Sequence, residues 1–231
     1  MQSKNSGLVI NTKKIKENDL YIKILSKNDE IISGIVFGGN SLKKRSIYQQ
    51  GNFIDFNLIQ KGKNNIKSFN GDIIYPFIAN IYNDKYKTFS ILSIISILNK
   101  SLYEGIKVSG LYSSLNILIN IIYDNKHWLK DYCMWLMYYL KILGYEIDYK
   151  DHKNKYFNLN TLNFQKNNYD NTIEFPYKLF NKDNYINYES VRSLFMIFEV
   201  IFMNNVLDNS LDKMPLNFKN FKNVILQKLK N

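Results

Sequence analysis

Leu20-Tyr21-Ile22-Lys23-Ile24 decides how the first third of this sequence reads. Apolar residues at 20, 22 and 24 alternate with Tyr21 and Lys23, the period near two of a strand with one buried face. Phe53-Ile54-Asp55-Phe56-Asn57-Leu58 repeats the pattern. Working outward, Leu8–Thr12, Ile31–Phe37 and Ile73–Ile78 are apolar runs of strand length. Turn-forming residues punctuate them: Glu17-Asn18-Asp19, Asn28-Asp29, Gly38-Gly39-Asn40, Lys61-Gly62-Lys63 and Asn70-Gly71-Asp72. Five strands so closely spaced suit a small closed barrel, and a sandwich shares the signature.

Beyond Pro76 the period changes to that of a helix. Phe89, Leu92, Ile95 and Leu98 stand three residues apart between Asp84 and Lys100, and Leu111–Tyr123 continues in the same way. In Leu129–Leu143, residues Leu129, Tyr132, Cys133, Leu136, Met137, Leu140 and Leu143 form one apolar stripe, with Gly144 in the position of a helix C-cap. The polar stretch from Asp148 to about Asn184, broken by Phe175-Pro176, reads as an extended loop or a small irregular insert. Helical spacing resumes in Tyr188–Val206 and Phe218–Leu229. The expected fold is therefore α+β: a five-stranded barrel of the oligonucleotide-binding (OB-fold) kind over residues 1–80, then a helical domain over 81–231 with an insert near 148–184.

The formal net charge of +11 points to a polyanionic partner. All its cations except Arg45 and Arg192 are lysines, and Asn, Ile, Tyr and Phe are abundant, a bias that a low-GC genome also imposes on any solvated surface. Cys133 is the single cysteine, which excludes an intramolecular disulfide and fits a reducing cytosol. Ile91–Leu98 is too short to span a membrane and Leu194–Leu207 carries Glu199. Met1–Lys14 has no apolar core of signal-peptide length. His127 and His152, the two histidines, have no carboxylate at ligand spacing, and Cys133 lies within an apolar stripe where a thiol is a small hydrophobe. Gly34-x-x-x-Gly38-Gly39 reads as strand and turn, not as a phosphate cradle. No paired carboxylates hold a metal, so neither an enzyme nor a cofactor is expected. Trp128, Tyr132, Trp135 and Tyr139 fall along one helix flank, where core packing is the better reading than base stacking.

The segment from Gly38 to Asn52 leaves one strand, turns on two glycines, carries Lys43-Lys44-Arg45 and returns to the next strand at Phe53. Those three cations can meet a phosphate backbone, Tyr48 can offer a face for stacking, and Lys13, Lys14 and Lys16 at the end of the first strand can extend the path. An ordinary solvated turn has the same composition.

With these residues in place the chain resembles the RecO family. The likeness runs through Gly7-Leu8-Val9-Ile10, Glu17-Asn18-Asp19-Leu20, Ile32-Ser33-Gly34-Ile35-Val36-Phe37-Gly38-Gly39 and Gln49-Gln50-Gly51-Asn52. It continues in Trp128 to Gly144-Tyr145, in Phe175-Pro176-Tyr177-Lys178-Leu179-Phe180, and in Val191–Val206 followed by Lys213-Met214-Pro215-Leu216. Order and spacing carry it, and the alphaproteobacterial branch is the nearest. Several relatives carry a four-cysteine zinc element in the segment corresponding to Asp148–Gln165; this chain has no cysteine there, so a fold without zinc is expected.

The resemblance implies a non-enzymatic recombination mediator of the cytoplasm, associated with the nucleoid. It implies binding of single- and double-stranded DNA, strand annealing and, with the partner RecR, loading of RecA on DNA coated by single-strand-binding protein. A second implied partner is that protein's acidic C-terminal tail. A slot for such a tail needs apolar walls and a cationic rim, which the helical domain's stripes and Lys130, Lys141 and Arg192 can supply. Two other readings stay open: an adaptor joining RecR to single-strand-binding protein with little DNA affinity, and an unrelated OB-fold protein that binds RNA.

Overall fold

The computed structural model describes residues 2–60, 67–149, 154–181, 186–207 and 213–231. The turn at Lys61-Gly62-Lys63 and His152 lie outside them. Two compact units emerge, Met1–Ser113 with Pro215–Phe218, and Ser114–Met214 with Lys219–Asn231.

Five strands close the barrel of the first unit: β1 (Gln2–Lys14), β2 (Leu20–Ser26), β3 (Ile31–Val36), β4 (Phe53–Ile59) and β5 (Ser68–Tyr75). Their order is β1-β2-β3-β5-β4, antiparallel throughout except for the β3–β5 closure at Ile35 and Ser68. Val9, Leu20, Ile22, Ile24, Ile32, Val36, Ile54, Phe56 and Phe69 fill the interior, so the period of two in the sequence is the inward face of the barrel.

Two strand expectations shift. β1 extends over thirteen residues because it serves two partners, pairing with β4 through Gln2–Leu8 and with β2 through Gly7–Lys14. A register shift between Val9 and Asn11 bends it between them, as barrel closure requires. At the overlap only glycine fits, since a Cβ on Gly7 would stand 2.5 Å from Ile24 Cγ2 and 2.6 Å from the Leu25 carbonyl oxygen. β5 starts five residues earlier than its apolar run and stops at Tyr75, before Pro76, which has no N–H to continue the ladder.

Helices α1 (Phe77–Ile81), α2 (Lys85–Ser101) and the start of α3 (Leu111–Asp124) complete this unit. Asp84 caps α2 by accepting from the Tyr86 and Lys87 amides. At the other end, Lys23 of β2 donates to the carbonyls of Asn99 (3.1 Å) and Leu102 (2.7 Å). Burial lowers the Lys23 pKa from its ordinary value, and Glu104 opposes the shift.

In the second unit α4 (Leu129–Ile142) buries Trp128, Tyr132, Trp135 and Tyr139, with the Tyr132 ring 4.6 Å from Phe221. Gly144 (φ +94°) ends α4 in the left-handed region, and the Tyr145 amide reaches back to Leu140 and the Gly144 amide to Lys141. Helix α5 (Tyr177–Phe180) precedes α6 (Tyr188–Ile201), which runs on into a π-helical turn (Phe202–Val206) before α7 (Leu216–Lys230). The expected insert is more regular than its composition suggests. It holds a three-stranded sheet in the order β7 (Phe164–Gln165), β6 (Tyr156–Asn158), β8 (Thr172–Glu174). Strands of two or three residues are too short to display alternation. They are held instead by ring packing: Phe164 lies 5.0 Å from Phe175 and 5.2 Å from Phe157.

Candidate nucleic-acid interface

The segment between β3 and β4 is a wound structure and not a free loop. Successive short bonds coil it, Ser41 N–H to Gly38, Lys44 and Arg45 N–H to Ser41, Ile47 N–H to Lys44. It is then laid along β1. Asn40 donates from its backbone to Asn18 (2.9 Å) and from its side chain to the Glu17 carbonyl (3.2 Å). Farther on, Thr12 Oγ1 donates to the Tyr48 carbonyl (2.6 Å) and Gln50 to Asn11 Oδ1 (3.1 Å). The ladder closes with the Gly51 amide on Val9 (2.8 Å). These tethers bracket Lys43, Lys44 and Arg45 and hold them beside the stretch of β1 and its turn that carries Lys13, Lys14 and Lys16.

Lys13, Lys14, Lys16, Lys43 and Arg45 are exposed and Lys44 is half-buried. Among the described residues none of the six enters an ion pair. Two sequence-distant clusters thus converge on one edge of the barrel without a salt bridge among the described residues, which is the footprint a polyanion needs.

Tyr48 does not offer a stacking face. It is fully buried in the barrel core, where its hydroxyl donates to the Gly71 carbonyl (3.2 Å) and accepts from the Gly71 amide (2.9 Å). Burial raises its pKa from the ordinary phenol value, partly offset by the bond to Gly71. The residue pins the β3–β4 segment to β5 instead.

The aromatic surface at this edge comes from elsewhere. Tyr21, directly opposite Lys13 on β1 and Ile35 on β3, is 36% exposed, and Phe37 at the exit of β3 is 61% exposed. Ile15 and Leu42 are exposed beside them. The available signal was the position of Phe37, an aromatic next to Gly38-Gly39 in the turn that follows β3.

Of the cations expected to rim a peptide slot, two are separated by the length of a helix. Lys130 and Lys141 stand at opposite ends of α4, about 16 Å apart along its axis. Lys130 donates to the Asn181 carbonyl, Lys141 pairs with Glu146 at 2.6 Å, and Arg192 lies 3.8 Å from Glu189. The hydrogen bond that Lys141 donates to Glu146 raises the Lys141 pKa. Lys141 alone lines a cavity, of about 200 Å³, with Met134, Met137, Tyr138, Ile147, Tyr149 and the carboxylates Glu146 and Asp148.

Cys133 is fully buried, and burial pushes its thiol far above the ordinary range, so it is no nucleophile. Among the described residues no three His, Cys, Asp or Glu side chains group closely enough to hold a metal ion, and no helix is long and apolar enough to cross a membrane.

A closed five-stranded barrel in this order, followed by a helical region, defines an α+β protein of the OB-fold class. Residues 1–77 match the family described as Recombination protein O N terminal. Proteins called DNA repair protein RecO are similar over a longer stretch: that of Rickettsia canadensis is 31% identical over 149 residues, 64% of this chain and 61% of the relative. That of Rickettsia akari is 30% identical, covering 64% of this chain and 62% of the relative. The chain is thus similar to RecO proteins, through the family's N-terminal region over residues 1–77 and through these relatives over about 149 residues. It spans less than two thirds of the length of these relatives.

Proposed function

We propose that this protein is a DNA-binding recombination mediator acting in DNA repair. Six cations on one barrel edge, without an ion pair among the described residues and set within the segment that matches the family, are the observation that carries the reading. Binding energy alone does the work, without catalysis, metal or cofactor. Phosphate contacts from Lys13, Lys14, Lys16, Lys43, Lys44 and Arg45 hold a strand, single or paired, without reading its sequence. Held strands can then anneal. Passing coated DNA to a recombinase requires partners, RecR and the acidic tail of single-strand-binding protein.

Titration of the full chain with labelled single-stranded and duplex DNA at several salt concentrations tests the reading. The affinity is expected to fall linearly in a log–log plot against salt for both forms. Affinity that is absent at low salt, or indifferent to salt, overturns it and favours an adaptor that meets only proteins.

A further inference from the structure

We propose that Tyr21 and Phe37 form a base-stacking platform that makes this barrel favour unpaired DNA over duplex. The inference rests on the DNA-binding reading above and adds to it which strand form is preferred and why. Single exposed apolar residues are ordinary on protein surfaces, whereas a group of them is not. Here Ile15, Tyr21, Phe37 and Leu42 are exposed at 41, 36, 61 and 80%, all at the barrel edge that carries the six cations.

Strand register places Tyr21, and the turn after β3 places Phe37. Tyr21 sits between Lys13 on β1 and Ile35 on β3 in one cross-strand row. Phe37 opens the turn that follows β3, one residue past the Leu20–Val36 pair that adjoins Tyr21. The two rings therefore flank the same end of the β2–β3 pair, where bases of one unpaired strand can meet both. The Lys13 ammonium stem lies directly beside Tyr21, so a phosphate can be met where a base meets the ring. The carboxylate of Asp19, which reaches Phe37's turn, accepts from the Gly38 amide at 2.9 Å and is engaged with the protein itself.

An aromatic face recognises any base, but only one whose own face is free. Bases in a duplex are already stacked, so they gain nothing from the platform, while phosphates of both forms meet the lysines. The two groups of residues therefore divide the work: cations supply affinity for any strand, and the rings supply the surplus for unpaired ones.

The test uses the full chain with Phe37→Ala, Phe37→Trp and the triple variant K43A/K44A/R45A, each titrated with oligo(dT) of about 20 nucleotides and with a duplex of equal length. Phe37→Ala is expected to weaken oligo(dT) binding about fivefold or more, the low end of one base–aromatic stack, with duplex affinity and salt slope unchanged. Phe37→Trp restores the single-strand affinity, and its indole fluorescence is quenched on oligo(dT) but not on duplex. The triple variant weakens both forms. Oligo(dT) affinity unaltered in Phe37→Ala, or equal losses on both DNA forms, overturns the platform. If the triple variant loses nothing while Phe37→Ala does, the phosphate reading fails and the platform stands.

Discussion

Tyr48 shows how a single residue can look functional in a sequence and prove structural. A tyrosine three residues after Lys43-Lys44-Arg45 invites a role in stacking, yet its ring belongs to the barrel interior and its hydroxyl serves both polar groups of Gly71. Removing that hydroxyl leaves the Gly71 amide without its partner, at a cost of about 1–3 kcal/mol. Tyr48→Phe is accordingly expected to lower the melting temperature by several degrees while the folded protein binds DNA as before. A drop in DNA affinity without loss of stability would return Tyr48 to the binding surface. Asp29 is a second residue of this kind, read in the sequence as half of a turn. It adopts φ +64°, tolerable for Asp, and its carboxylate accepts from the Gly110 and Tyr112 amides at 2.8 Å each. A β2–β3 turn thus caps the start of α3 from outside the helix, with a negative charge at the positive end of the dipole. Asp29→Ala should cost about 1–2 kcal/mol in chemical denaturation, and Asp29→Asn, which keeps an acceptor and the left-handed tolerance, distinctly less. Equal losses in the two variants would point to the charge rather than the cap.

The β3–β4 segment is the element whose sequence and structure agree in chemistry and differ in form. Its cations are where the glycine turn placed them, but the turns within it and the tethers to β1 give them a fixed place instead of a free arc. A fixed array loses little conformational freedom on meeting phosphates, and each cation displaces about 0.7 counterions from a single strand. Replacing Lys43, Lys44 and Arg45 with alanine should therefore flatten the log–log salt slope by about two units and weaken binding at low salt, with melting temperature retained. Sequence preference should hardly move, since phosphates carry no base information. An unaltered slope would relocate DNA binding to other lysines. The small sheet β6–β8 is the opposite case, an element absent from the sequence pattern because its strands are shorter than one period of alternation. Its order comes from Phe157, Phe164 and Phe175, scattered aromatics that meet only once the chain folds back.

At the scale of the whole molecule, what the sequence made legible was whatever repeats along the chain. Inward positions of β2 and β4 alternate, and the stripe of α4 recurs every three or four residues; both follow from local geometry, so the barrel, the helices and the cationic edge were readable. Pairings between distant residues have no such signature. Nothing near Lys23 announces that its ammonium closes the C-terminal end of α2, nor anything near Phe53 that its ring meets Tyr112 at 6.2 Å. Those pairings also bear on where the first domain ends. The change of period beyond Pro76 marks the end of the barrel strands, whereas the compact unit continues to Ser113. Between those positions lie the Lys23 bonds to Asn99 and Leu102, the Asp29 cap on Gly110 and Tyr112, and the bond from the Ile31 amide to Ile106 at 3.1 Å. Cutting after residue 80 leaves a charged lysine without the carbonyls it serves and strips the cover from the barrel's apolar flank at Phe53. Each loss is of the order of 1–3 kcal/mol, against a total stability of about 5–15 kcal/mol for a domain. A fragment of residues 1–124, which retains α2 and all of α3, is expected to melt cooperatively, and one of residues 1–80 to melt much lower or without a sharp transition. Thermal unfolding followed by circular dichroism distinguishes them. Equal melting temperatures would establish the barrel as self-sufficient and reduce α2 and α3 to a covering it does not need.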